Sequence, residues 1–289
     1  MIVALEVSRD IDLALFSRYL QQSGVEHRIA EDGDRQVVWV TNEAEANLVR
    51  ELFDRIDQGQ VRLEAKAGGA PARVRGVPLL HQLWRAPLTA LVILLNLAFF
   101  PVTFGLDEGE VTQLLTRMTF VGFELDGAYL KFESLAEVFA QGEYWRLLSP
   151  MLLHFGVMHI VFNLLWVWEV GRRIEIINGA ATLLLILLVT SLSANFTQYF
   201  MTGPSLFGGM SGVVFGLLGY GLVWSRLVPS RSLALPDGIY IFMVAFLVIG
   251  FSGVLDALLP GSLANGAHLG GFLAGLGLGA VAGLIERNA

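Results

Sequence analysis

The sequence contains no cysteine. That excludes disulfides, thiolate metal ligands and a cysteine nucleophile together. Charge is scarce as well: charged residues make up 16% of the 289 positions and hydrophobic residues 54%. The mean hydropathy of +0.61 is too high for a soluble domain of this length, whose surface needs many more charges. A basic face is also missing. The formal net charge is -7 and the isoelectric point is near 5.2, which argues against nucleic acid as a partner because nothing is available to neutralise phosphates. No short basic leader with an apolar core and small-residue end precedes the first apolar run at about Pro87. A cleavable signal peptide is therefore not visible, and the N-terminus is expected to stay in the cytoplasm.

The charges that are present crowd towards one end. Up to Lys66 there are eight Lys/Arg and thirteen Asp/Glu. Residues 1–68 read as a small soluble α+β domain in βαββα order. Ile2 to Val7 and Gln36 to Thr41 predict strands. Asp10 or Asp12 opens a helix with Leu13, Phe16 and Leu20 on one face, stopped by Gly24. Asn42 opens a second with Val49, Leu52, Phe53 and Ile56 as its buried stripe, ended by Gly59. No catalytic constellation is visible in this leader. Residues 69–86 read as a linker, with the glycines and prolines concentrated from Ala65 to Pro78.

Residues 87–289 predict a polytopic α-helical membrane domain. Six apolar runs, Pro87–Phe104, Leu147–Val170, Gly179–Tyr199, Gly208–Val228, Gly238–Leu259 and Gly266–Ile285, are each near the ~20 residues that a helix needs to cross hydrocarbon. Arg73, Arg75, Arg85, Arg172, Arg173, Arg226, Arg231 and Arg287 fall on one side, and the gaps after runs three and five have no Lys or Arg. That pattern sets the N-terminus inside. The loop after run one is long and acidic, and Phe120 to Phe139 is amphipathic enough to lie in the membrane interface.

Polar groups inside apolar spans either pair with one another or work. Run two carries His154, His159 and Asn163; run four opens on Gly208-Gly209-Met210-Ser211-Gly212; run six opens on Asn265-Gly266-Ala267-His268. Taken singly, the serine reads as helix–helix glue and each histidine as a satisfied structural residue. Depth separates the readings. At ~1.5 Å per residue, Ser211 is 15 residues from Arg226, roughly 22 Å above the inner rim. His159 is 13 residues from Arg172, roughly 20 Å, and Asn163 is nine, about 13 Å. His268 is 19 residues from Arg287, about 28 Å upright and less if its helix tilts. These groups converge in height, which scattered glue does not require.

Spacing adds convergence in the plane. His159 and Asn163 are i and i+4, on one helix face. Gly212 and Gly216 in run four, and Gly271, Gly275, Gly279 and Gly283 in run six, recur every four residues. Small faces of that kind let two backbones approach closely, as a short Ser–His hydrogen bond between helices demands. Ser211 is then the nucleophile and His268 its base, a dyad, because no acid sits at a comparable position. Ser211 stands at a helix start, where free N–H groups and the positive dipole end hold an oxyanion; His159 and Asn163 add side-chain donors. His154 and Gln198 are polar candidates on the outer side of the pocket.

Gly209-Met210-Ser211-Gly212, His159 with Asn163, Ala267-His268 before Gly270-Gly271, and Trp145-Arg146 in the first loop resemble the rhomboid proteases, in particular bacterial rhomboids with a soluble leader and six spans. The likeness implies a rhomboid fold in the bacterial inner membrane, with the site opening to the outer, periplasmic side. It implies cleavage of transmembrane-helix substrates in the lipid bilayer by Ser211 and His268, with no cofactor and no metal. One position departs: the family commonly has tyrosine four residues after the nucleophile, stacked on the histidine, and here it is Phe215. The alternatives are a catalytically weak rhomboid-like client-binding protein, a transporter and a zinc hydrolase. The first should lack the serine or histidine, the second should carry inverted repeats and intramembrane charge, and the third needs a ligand set absent here.

Overall fold

A computed structural model describes residues 2–58, 60, 79–104, 111–127, 129–254 and 263–288. Two compact units result. Met1–Pro78 with Ser225–Ala234 forms one; Leu79–Trp224 with Leu235–Ala289 forms the other.

In the first unit the described elements are β1 (Ile2–Ser8), α1 (Ala14–Gln22), β2 (His27–Asp32), β3 (Arg35–Val40) and α2 (Glu43–Asp57). The sheet is antiparallel, in the order β1-β3-β2, with Ile2 and His27 both opposite Val40. Leu13, Phe16, Leu20, Val38, Val40, Ala46 and Val49 form its core, with Leu52, Phe53 and Ile56 packed against it. Asp12 accepts the N–H of Ala14, and Asn42 caps α2 by accepting from Glu45, whose carboxylate returns to the N–H of Thr41. Gly59 and the linker up to Pro78 lie outside the described residues. The remainder of the expected linker differs from the sequence reading: Leu79–Arg85 is a helix, α3.

The second unit is mainly helical. After α3 come α4 (Pro87–Phe99), α5 (Gln113–Met118), the hairpin β4–β5 (Phe123–Asp126, Tyr129–Phe132) and α6 (Leu135–Gln141). Then follow α7 (Val157–Trp166), one π turn (Val167–Gly171), α8 (Arg172–Asn178), α9 (Ala180–Thr202), α10 (Ser211–Leu227), α11 (Asp237–Phe251) and α12 (Asn265–Arg287). Among the described residues, α9 and α12 are long and apolar enough to cross a membrane; Pro87–Thr103, α10 and α11 are shorter apolar helices.

One expectation about the helices needs correction. The second apolar run does not start its helix at Leu147. Tyr144–Leu147 and Ser149–Leu152 are short 3-10 turns, and the continuous helix begins only at Val157 and runs to Asn178. Pro150 supplies no N–H, and Gly156 at φ 138 is outside helical space, so an apolar stretch of this kind need not be helix. The first loop buries Phe120, Val121, Phe123 and Val138 in protein clusters and leaves Leu125, Tyr129, Leu130 and Phe139 exposed, so its apolar residues divide between the two faces.

Three polar anchors hold this scaffold. Arg146, buried in the first 3-10 turn, donates to Glu143 at 2.5 Å and to the carbonyls of Thr116 at 2.5 Å and Thr119 at 3.1 Å. Trp145 donates to the carbonyl of Arg117. Glu175 of α8, also buried, accepts the N–H groups of Leu88 and Thr89 at 2.8 Å and the Thr89 hydroxyl at 2.7 Å. Helix α4 has no cap of its own, so this carboxylate satisfies its orphan donors and its dipole from a neighbouring helix.

The central packing involves α10, whose residues Gly212 to Gly221 are all buried. A Cβ on Gly271 would overlap the carbonyl oxygen of Gly212, and one on Gly275 that of Gly216; a Cβ on Gly279 would lie 2.6 Å from that of Tyr220. The two helices therefore run backbone against backbone along the glycine series. On the other side of α10, Gly212 meets Ala194 and Gly216 meets Thr190, both of α9.

Gly275→Leu should force α10 and α12 apart, lowering stability by about 3 kcal/mol. An unchanged unfolding midpoint in detergent would refute the close contact. Arg146→Ala, which strands the Thr116 and Thr119 carbonyls, should cost about 3 kcal/mol in the same measurement, and Arg146→Lys should recover little because one ammonium cannot span the three acceptors.

Candidate active site

Ser211 begins α10, and the two glycines before Met210 belong to no helix or strand. Gly209 holds φ +113 and donates its N–H to the carbonyl of Pro150 at 2.9 Å. A Cβ on Gly208 would lie 2.8 Å from Leu153 Cβ. The segment before Ser211 is thus seated on the second 3-10 turn, Ser149–Leu152, and glycine is required for the fit.

Opposite Ser211 stands His268, one turn into α12 and 3% exposed. Its Nε2 lies 2.9 Å from Ser211 Oγ. The imidazole stacks on Phe215, with centroids 4.7 Å apart and planes at 28°, and Phe246 of α11 lies at 6.3 Å. Phe215 thus occupies the stacking position through its ring alone. Nδ1 of His268 has no hydrogen-bond partner among the described residues, while Asp256 lies outside them. For Nε2 to accept the serine proton, Nδ1 carries the ring hydrogen.

His159 and Asn163 sit on the inner face of α7. A Cβ on Gly209 would lie 2.6 Å from His159 Nε2 and 3.6 Å from the Asn163 amide nitrogen, so both polar groups close on the backbone just before the nucleophile. Asn163 Nδ2 donates to the His159 carbonyl at 3.0 Å; an amide has a second N–H to offer. With the N–H groups of the first turn of α10, these are the donors available to an oxyanion beside Ser211.

His154 and Gln198 are both buried. His154 is fully so, and its Nε2 accepts the N–H of Met210 at 3.3 Å while its carbonyl accepts the Thr103 hydroxyl at 2.6 Å. It braces the segment before Ser211. Gln198, buried on α9, accepts the N–H of Ala267 at 3.1 Å and so pins the first turn of α12.

A narrow crevice adjoins Ser211, lined among others by Ser191, Asn195, Gly209 and Ala267. Ser191 Oγ is buried there without a partner, and Asn195 donates to the carbonyl of Leu147 at 2.8 Å. Neither residue stands out singly in the sequence. Their signal is joint: Ser191, Asn195 and Gln198 fall at i, i+4 and i+7, a polar stripe on an otherwise apolar helix.

A serine within hydrogen-bond reach of an imidazole, with amide donors converging beside it, is the equipment for acyl transfer through a covalent serine intermediate. Comparison with known proteins agrees. Residues 141–284 match the Rhomboid domain family and residues 1–67 the Rhomboid N-terminal domain family. The chain is 29% identical to a rhomboid protease, GlpG, of Serratia proteamaculans (strain 568), over 96% of this chain and 95% of that protein. The chain belongs to the rhomboid family, and it is an intramembrane serine protease.

Proposed function

We propose that the protein hydrolyses peptide bonds in or near transmembrane helices of other membrane proteins through a dyad of Ser211 and His268. The observation that carries this reading is the 2.9 Å Ser211 Oγ to His268 Nε2 distance between two helices in backbone contact. His268 takes the serine proton as Oγ attacks the scissile carbonyl. The resulting oxyanion is received by the Ser211 N–H, His159 and Asn163. The imidazolium then protonates the departing amine, leaving an acyl-serine. A water that gives its proton to His268 attacks that ester, and collapse returns the serine hydroxyl and a free carboxylic acid. Among the described residues no carboxylate backs the histidine, and stacking on Phe215 orients the ring.

The architecture in this proposal is a soluble leader over residues 1–68, a connecting stretch over 69–86 and a six-span protease domain over 87–289. The helical run from Val157 to Asn178 serves as the second span. The protein sits in the bacterial inner membrane with its N-terminus in the cytoplasm and its site open to the periplasmic side. The arginines clustered at one set of helix ends support that orientation.

A fluorophosphonate probe should label the full-length protein in detergent, and Ser211→Ala should abolish both labelling and cleavage of a model transmembrane substrate; equal cleavage by this variant sinks the reading. His268→Ala should lose roughly 10³-fold or more in kcat with the unfolding midpoint kept. Asn163→Ala should retain part of the activity, with a loss of about 10² as for one oxyanion donor. Full activity in the His268 variant would remove it as the base.

A further inference from the structure

Asparagine at the start of a helix ordinarily caps that helix with its own side chain. Asn265 begins α12 and does not: the cap position is Ala264, and no side chain bonds the first-turn N–H groups from there. Its amide reaches sideways instead. Nδ2 donates to the carbonyl of Gly250 in α11 at 2.8 Å, and Oδ1 is buried with no partner among the described residues. A Cβ on Gly250 would overlap that Oδ1, so Gly250 is what lets the amide lie against α11.

The turn held in this way carries the base. Asn265 and His268 are three residues apart, on the same side of the first turn of α12. On its other flank the same turn is pinned to α9, by Gln198 accepting from Ala267. One turn before Gly250, Phe246 lies 6.3 Å from the imidazole. Helix α11 buries only Tyr240, Met243, Leu247 and Gly250 among its own residues, and Ile241, Phe242, Val248 and Ile249 face outward. A lightly packed helix therefore touches the base through one ring and one amide.

We propose that Asn265 is a positioning residue for the proteolytic reaction. By hydrogen-bonding the Gly250 carbonyl it seats the first turn of α12 on α11 and sets the His268 imidazole at hydrogen-bond distance from Ser211. It touches no reacting atom and acts through His268. This inference rests on the dyad reading above.

The test uses full-length protein in detergent, with three measurements: fluorophosphonate labelling rate at Ser211, kcat and KM for a transmembrane substrate, and the unfolding midpoint. Asn265→Leu keeps most of the volume and removes the donor. It should slow labelling and lower kcat by about tenfold to a hundredfold, the scale of a small misplacement of a catalytic group, with KM within twofold. Gly250→Ala, which pushes a methyl onto the amide from the other side, should reproduce that kcat loss at unchanged KM. Wild-type labelling rates in both variants, or kcat falling only in step with a lowered midpoint, overturns the proposal. Absence of labelling in the wild type overturns the protease reading itself, a result distinct from either.

Discussion

Everything in the second unit depends on two helices touching without side chains between them. A serine hydroxyl and an imidazole are short, and a 2.9 Å bond between them across separate helices needs backbones in contact at that level. Gly212 and Gly216 against Gly271 and Gly275 provide it. The Ser211–His268 pair is thus set by what four residues lack. Apolar matching alone would not hold such a contact in lipid, where helix association relies on close packing and interhelical hydrogen bonds. Ser193, donating to the carbonyl of Gly270 at 2.8 Å, is one such bond beside the zipper.

Polar side chains in the unit divide into those facing the reacting atoms and those that hold them in place. Ser211, His268, His159 and Asn163 face one another around Gly209. Arg146, His154, Glu175 and Gln198 are buried as well, each satisfying backbone groups that the chain's irregular turns or helix ends leave open. Burial makes their hydrogen bonds costly to lose. The first loop is consequently part of the scaffold around Ser211: the Ser149 hydroxyl donates to the carbonyl of Met118, and the neighbouring Pro150 carbonyl holds Gly209.

Much of this was legible in the sequence because the background is so apolar. A histidine or serine deep within an apolar run is conspicuous, and residue counting brought Ser211 level with His159 before any coordinates. The glycine series likewise pointed to the helix pair that the structure brings into contact. Other features were hidden for identifiable reasons. Leu147 to Gly156 is as apolar as a span, yet Pro150 and the φ 138 of Gly156 break it into 3-10 turns. Glu175, in the short gap after Arg172 and Arg173, has the sequence look of a solvated acid, and only the fold shows it capping α4. Ser191 and Asn195 resemble ordinary helix glue until one sees that they line the crevice beside Ser211.

The all-round burial of α10 has a consequence for how the surroundings act on this enzyme. Its residues from Gly212 to Gly221 are enclosed by protein, whereas α4 and α11 carry Leu94, Leu97, Ile241 and Val248 on their outer faces. The helix bearing the nucleophile is insulated from the acyl chains. Bilayer thickness and lipid order therefore press on the peripheral helices, and reach the chemistry only through the few groups by which those helices touch the base.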